Sequence, residues 1–224
     1  PTRPRPIVSI GAGGIVNDAH LPAYQLAGFN VQGIVDINPE KAKATADRFS
    51  IPNCYPSLEA LLAAAPPNAI FDLAVPGSQI IPVLTLLPEK AAVLIQKPMG
   101  ENFQQAGEIL QLVKKKEQLA AVNFQLRYAP YILTAKDLLA SGLLGEIYDI
   151  EINVNVYTPW QLWDFLFTSP RVEILYHSIH YIDLVRNLLG NPVSVYAKTT
   201  RHPSMPQLAS VRSNIIMDYG EMVA

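Results

Sequence analysis

Gly11-Ala12-Gly13-Gly14-Ile15-Val16 decides how this chain is read. The residues before it, 6–10, form a short apolar run of strand character, and a helical stretch that Pro22 interrupts or restarts follows it. A glycine turn between a strand and a helix has a physical use. Gly11 permits the sharp turn, and Gly13 leaves the backbone bare enough for a pyrophosphate to approach. The helix N-terminus behind them presents unpaired N–H groups and the positive end of its dipole. The third position of the G-x-G-x-x-G spacing is Val16 rather than Gly or Ala. Asp36 strengthens the reading: it ends a second strand, 31–36, about 20 residues on, where a carboxylate accepts ribose hydroxyls and repels a 2′-phosphate. No arginine follows Asp36 directly. Gly11, Ala12, Gly13, Gly14, Ile15 and Asp36 are therefore expected to bind NAD in preference to NADP. The alternative is a capped strand–helix turn that holds no nucleotide.

The alternation continues outward. Asn38 and Pro39 supply an N-cap and a proline at the first helical position, opening a helix to about Phe49. Ser57 caps a short helix through Ala64. Residues 69–75 read as a buried strand stopped by Pro76 and Gly77, and Pro76 joins the cofactor set from that edge. Residues 91–95 and 119–125 read as two more strands. Between them, Asn102 and Gln105 resemble a capping box, opening a helix that ends in Lys114, Lys115 and Lys116, a solvated cationic end. Strands alternating with helices predict an α/β Rossmann domain over 1–122, a parallel doubly wound sheet covered on both faces.

From 123 to 224 the pattern changes. A helix from Pro130 to Ser141 ends at Gly142, and 146–157 alternates like a half-exposed strand. Residues 171–189 read as one long helix closed by Gly190, and strand-like runs at 193–200 and 209–219 follow with no helix between them. Consecutive strands predict an α+β second domain with an open antiparallel sheet. The chain starts without methionine and stops on a strand and turn at 217–224, so the second domain is expected to be truncated at its C-terminus.

Composition narrows the function classes. Half of the 224 residues are apolar and 16% are charged, which is globular and neither disordered nor collagenous. Seventeen Lys and Arg against nineteen Asp and Glu give a net charge of −2, with no bulk attraction for nucleic acid or anionic lipid. Prolines or charges interrupt every apolar run before membrane-span length, and the N-terminus lacks a signal-peptide core. Cys54 has no partner within the chain, so a reducing, cytoplasmic compartment is expected.

Several residues can carry chemistry. Gln96-Lys97-Pro98 follows the strand 91–95 at the carboxyl edge, where ligands bind in open parallel sheets. A lysine there can hold negative charge developing on a substrate oxygen, with a solvated loop lysine as the equal alternative. Asn123, Gln125 and Arg127 alternate, so an extended backbone would put all three on one face, near substrate hydroxyls or the nicotinamide carboxamide; a polar sheet edge is the alternative. Tyr176 and His180 are spaced i, i+4 and His177 and His180 i, i+3, which puts them on one helical face, with Glu173 a turn before His177. A phenol beside a lysine relays protons if its pKa falls, so Tyr176 can assist His180; packing against the sheet is the alternative. Glu173, His177 and His180 also have metal-ligand chemistry, but no metal is expected, since nicotinamide chemistry needs none. Trp160, Trp163, Phe165 and Phe167 crowd one connection and suit sugar C–H faces, core packing or a subunit interface.

In order, Gly11–Ile15 with Asp18-Ala19-His20-Leu21-Pro22, Lys97-Pro98, Arg127-Tyr128-Ala129-Pro130, Gly142-Leu143-Leu144-Gly145-Glu146-Ile147 and His180-Tyr181-Ile182-Asp183 resemble the glucose–fructose oxidoreductase/inositol dehydrogenase family over nearly the whole chain. The resemblance implies a Rossmann domain, a C-terminal α/β domain with an open antiparallel sheet that continues past residue 224, and NAD(P)-dependent redox chemistry on sugars or polyols. It places the catalytic lysine at Lys97 and the histidine at His180. Two positions depart from the pattern. The family's Glu-Lys-Pro is Gln96-Lys97-Pro98 here, without the charge that would pair with the lysine. Where the family often has an Asp four residues before the histidine, this chain has Tyr176.

These readings give a hydride-transferring oxidoreductase acting on a secondary alcohol of a sugar or polyol. Its catalytic group is Lys97, His180 and Tyr176, meeting at the nicotinamide end of a cleft. Pro76 and Lys97 complete the cofactor set, and Lys97, Asn123, Arg127, His177 and His180 the substrate set, with Glu173 and His177 nearer the rim. The expected partners are a small sugar or polyol and a second copy of the chain, joined through the second-domain sheet. Two rivals stand beside this reading: an enzyme that oxidises transiently to permit elimination or glycoside cleavage, and a dinucleotide-binding sensor without catalysis.

Overall fold

The computed structural model describes residues 4–162 and 164–224; Trp163 and residues 1–3 lie outside the described residues. The chain divides into two compact units between Asn123 and Phe124. Among the described residues no helix is long and apolar enough to cross a membrane.

The first unit is built on five parallel strands, β1 (Ile7–Ile10), β2 (Val31–Val35), β3 (Ile70–Leu73), β4 (Ala92–Ile95) and β5 (Leu119–Val122), in the order β2-β1-β3-β4-β5. A further short pairing lies outside β2. Ile34 donates its N–H to the Asn53 carbonyl at 3.0 Å and accepts from the Tyr55 N–H at 2.9 Å, so Cys54 forms a parallel bridge beside it. With that bridge counted as a strand, the order is the six-position order of dinucleotide-binding sheets, its third strand shortened to one pair.

Helices α1 (Leu21–Leu26), α2 (Pro39–Phe49), α3 (Leu58–Ala64), α4 (Ile80–Leu86) and α5 (Phe103–Lys115) connect the strands. Val35 packs into one core with Val8, Ile10, Leu73, Ile80, Leu84 and Ile95, while its neighbour Ile34 packs into another with Val16, Leu21 and Ala46. Adjacent strand residues feeding different cores is what burial on both faces requires, and it explains why these strands read as unbroken apolar runs.

Local signals act as expected at the helix starts. The Asn38 side chain accepts from the Glu40 and Lys41 amides, and Ser57 accepts from Ala60. Asn102 accepts from Gln105, but the return bond of the capping box goes one residue early, from the Glu101 N–H to Gln105 Oε1 at 2.8 Å. The solvated lysine end needs correcting at one residue. Lys116 turns its ammonium onto the Leu84, Thr85 and Leu87 carbonyls, where it satisfies the end of α4.

The second unit contains α6 (Pro130–Ala140), α7 (Ile179–Leu189) and an antiparallel pair, β6 (Ser194–Thr200) and β7 (Arg212–Asp218). Trp160, Leu166, Val172 and Leu208 form its buried cluster. Two expectations are corrected here. Residues 146–157 form no strand; a single bridge from Asp149 to Val223 is all the pairing they show, because apolar alternation makes a strand only where a partner edge runs alongside. The long helix before Gly190 contains a π-turn, Ile174–Ser178, in which Ile179 donates back to Ile174.

Candidate functional site

The glycine turn leaves β1 at the point where the strand order reverses between β1 and β3, the place where open parallel sheets bind ligands. Gly11 has φ +113°, and a Cβ there would lie 2.4 Å from the Ala74 carbonyl oxygen, so no other residue fits between β1 and the end of β3. Pro76 lies two residues beyond that contact. Gly13 has nothing within 4 Å of where a Cβ would stand, so its backbone is open to a ligand. Ala12 is buried and gives its N–H to Asp36 Oδ2 at 2.7 Å, while Asp36 Oδ1 takes the Asn38 N–H at 2.8 Å. Behind the turn, the Asn17 side-chain amide reaches the Ala12 and Gly13 carbonyls and Thr45 of α2.

Val16 is fully buried and begins a second π-turn, Val16–His20, where Leu21 donates back to Val16. Pro22 explains the turn. It has no N–H for the carbonyl four residues back and its ring would crowd that carbonyl, so the helix opens by one residue before restarting. The opened turn brings His20 inward, against the sheet.

That inward face carries a polar chain the sequence reading missed. Asp72 in β3 is fully buried, and its Oδ2 accepts from His20 Nδ1 at 2.8 Å and from the Tyr24 hydroxyl at 3.0 Å. His20 Nε2 faces the side-chain nitrogens of Gln96, at 3.0 Å, and Asn123, at 3.2 Å. Gln96 Oε1 accepts the backbone N–H of Lys97 at 2.7 Å. Burial first, then the Asp72 charge, pushes the Tyr24 phenol up, so it stays a donor. The signal in the sequence was Asp72 itself, a lone carboxylate inside an otherwise apolar strand.

Lys97 follows β4 at the carboxyl edge, and burial brings its ammonium down to about 8. Asn123 is occupied by His20 rather than free on an extended face, and Gln125–Tyr128 is a 3-10 turn, so Asn123, Gln125 and Arg127 do not share a strand face.

In the second unit, Arg127 grips Asp183 with two bonds, Nε to Oδ2 at 2.6 Å and Nη2 to Oδ1 at 2.5 Å. Asp183 is buried on α7, one turn after His180. The His180 ring meets the Phe124 ring edge-on at 6.3 Å, His177 stacks on Trp160 at 4.9 Å, and Tyr176 meets Phe165 edge-on at 5.5 Å beside the buried cluster. Tyr176 lies within the π-turn Ile174–Ser178, and His180 follows it on α7. Glu173 accepts from Ser178, five residues on, and from Ser213 of β7, so it ties the helix to the sheet. Among the described residues no group of three or more His, Cys, Asp or Glu is placed to hold a metal.

A dinucleotide fits the first unit. An open Gly13 stands before a helix start whose first amides have no intrahelical acceptor, and each Asp36 oxygen retains acceptor capacity beyond its backbone bond.

Comparison with known proteins agrees with this geometry. The model of the oxidoreductase family with an NAD-binding Rossmann fold matches residues 6–124, and the GFO/IDH/MocA C-terminal domain matches residues 132–221. A D-xylose 1-dehydrogenase (NADP(+)) from Haloferax volcanii is 25% identical over 193 residues, covering 85% of this chain and 59% of the relative. An oxidoreductase from Agrobacterium radiobacter, solved with NAD+, L-tartaric acid and magnesium, superposes with a TM-score of 0.80 at 21% identity, covering 99% of this chain and 65% of that one. Levoglucosan dehydrogenase, solved with NADH and levoglucosan, gives 0.79 at 19% identity, covering 99% and 65%. The chain spans 39% to 59% of the length of four such curated relatives.

Proposed function

Because the chain belongs to the GFO/IDH/MocA oxidoreductase family, we propose that it works as an NAD-linked oxidoreductase on a secondary alcohol of a sugar or polyol. The observation that carries this reading is Lys97, a largely buried cation at the carboxyl edge of the same sheet whose first turn forms the Gly11–Asp36 cradle. A relative named for xylose and a fold neighbour bound to levoglucosan support the substrate class.

In this reading the backbone of Gly13, Gly14 and Ile15 takes the pyrophosphate, Asp36 accepts the adenosine ribose hydroxyls, and Pro76 bounds the crevice. Bound NAD supplies a two-electron acceptor. Lys97 donates to the substrate oxygen and strengthens that bond as negative charge develops there. His180 takes the hydroxyl proton. Arg127 acts through Asp183, holding the helix that carries His180, and His177, steadied on Trp160, contacts substrate. Tyr176 is assigned as the neighbour that tunes His180.

The test is NADH formation across a sugar and polyol panel. Lys97→Ala and His180→Ala should each lower turnover by ~10²–10⁴-fold with NAD affinity little changed, the range for one positioned acid–base group. Near-normal turnover in both variants would refute the assignment. Product formed without net NADH would move the protein to transient-oxidation chemistry.

A further inference from the structure

Gln96 stands where the resemblance places a carboxylate, and it is buried at 8% exposure. Hydrogen-bond direction explains what an amide does there. The Asp72 carboxylate accepts only, so the His20 nitrogen facing it, Nδ1, must carry a proton. In the neutral ring the other nitrogen, Nε2, is then an acceptor, and it meets the NH2 groups of Gln96 and Asn123. An amide that gives its nitrogen to His20 turns its oxygen the other way, and Gln96 Oε1 takes the Lys97 N–H. The backbone N–H of Gln96 is meanwhile fixed to the Leu73 carbonyl of β3 at 2.9 Å. Pro98 has no N–H, so the Lys97 N–H is the last donor before the proline.

We propose that Gln96, oriented by His20 and Asp72, is a positioning residue for Lys97: a chain of hydrogen bonds running from β3 through His20 holds the lysine's backbone at the carboxyl edge of the sheet. Its catalytic value rests on the reading of Lys97 given above. A glutamate at 96 would still accept the Lys97 N–H but would put a second acceptor against Nε2, which the ring can meet only by taking a proton. A leucine would fill the space and lose both bonds.

Amide hydrogen exchange on the full chain, residue by residue, tests this without any substrate. Gln96→Leu should speed exchange at the Lys97 amide about tenfold, the loss of one hydrogen bond, while Val93 and Ile95 in β4 keep their protection. Gln96→Glu should keep the Lys97 amide slow. With NAD and either myo-inositol or D-xylose as probe, Gln96→Leu should lower kcat about tenfold at unchanged NAD affinity, and Gln96→Glu should recover most of the loss. Unchanged exchange at Lys97 in Gln96→Leu, or acceleration spread evenly through β4, would overturn the proposal. If the unmodified protein reduces NAD with no member of the sugar and polyol panel while the exchange pattern holds, the oxidoreductase reading fails and the anchor stands. His20→Leu, if it folds, should speed exchange at Lys97 as Gln96→Leu does.

Discussion

Lys97 carries opposite demands, because burial costs it stability while the role proposed for it needs a charge at that edge. Its ammonium is drawn down to about 8 by desolvation, below the ordinary lysine range. Between about pH 8 and the ordinary lysine pKa near 10.4 the unfolded chain binds more protons than the folded one. Stability therefore rises with pH across that window, and below it the full cost of the buried charge is present. Lys97→Met should raise stability at pH 7, by up to roughly 3 kcal/mol on that linkage, and flatten the rise above pH 8. Thermal unfolding at pH 7 and pH 10 checks it, and equal pH slopes in both proteins would count against it. The same substitution should abolish turnover, so stability and activity should move in opposite directions. Asp36 supports a second test: its carboxylate repels a 2′-phosphate, so calorimetry should find NAD bound more tightly than NADP, with the gap narrowed in Asp36→Ala. NADP preferred by the unmodified protein would refute the assignment.

Among the described residues two helices begin with a π-turn, and the two differ in how well the sequence announces them. Pro22 marks the first, since a proline near a helix start removes a bond that must be replaced. Nothing comparable marks Ile174–Ser178, so the widened turn there was not legible. Other elements were legible to the extent that their causes were local. The Asn38, Ser57 and Asn102 caps act within four residues, and the glycine turn and Asp36 follow from one strand–helix–strand unit. The Asp72–His20–Gln96 chain was not legible, because it joins residues 52 and 76 positions apart and no window contains them. Lys116 was misread for the same reason, since its acceptors lie on α4. At Tyr176 the two roles separate cleanly. Tyr176→Phe keeps the ring against Phe165 and the buried cluster, so stability should change by less than about 1 kcal/mol. If the hydroxyl tunes His180, turnover should fall severalfold and the acid limb of the pH–rate profile should move. Unchanged kinetics would assign the residue to packing alone.

At the scale of the molecule, the two units differ in how they close. The parallel sheet of the first is buried from both sides, with apolar cores on each face. The antiparallel pair of the second is not: β6 is exposed along all seven residues. Its Tyr196 pairs with Ile216 of β7, and the two are 65% and 52% exposed on one face. Two strands alone are marginal in water, and an exposed edge with an apolar face is a template for another chain. The Glu173–Ser213 bond anchors β7 on its other face, where Met217 is buried, and leaves the Tyr196–Ile216 face open. We therefore expect the chain to self-associate through this sheet, burying Tyr196 and Ile216. Sedimentation velocity should show a dimer or larger species that Tyr196→Lys with Ile216→Lys converts to monomer, since two charges brought face to face with their copies repel and lose solvation. A wild-type monomer at every concentration tested would refute this. An oligomer untouched by the double substitution would place the interface elsewhere on the chain. NAD affinity should be the same in both proteins, because the cradle of Gly11, Gly13 and Asp36 is built wholly from the first unit.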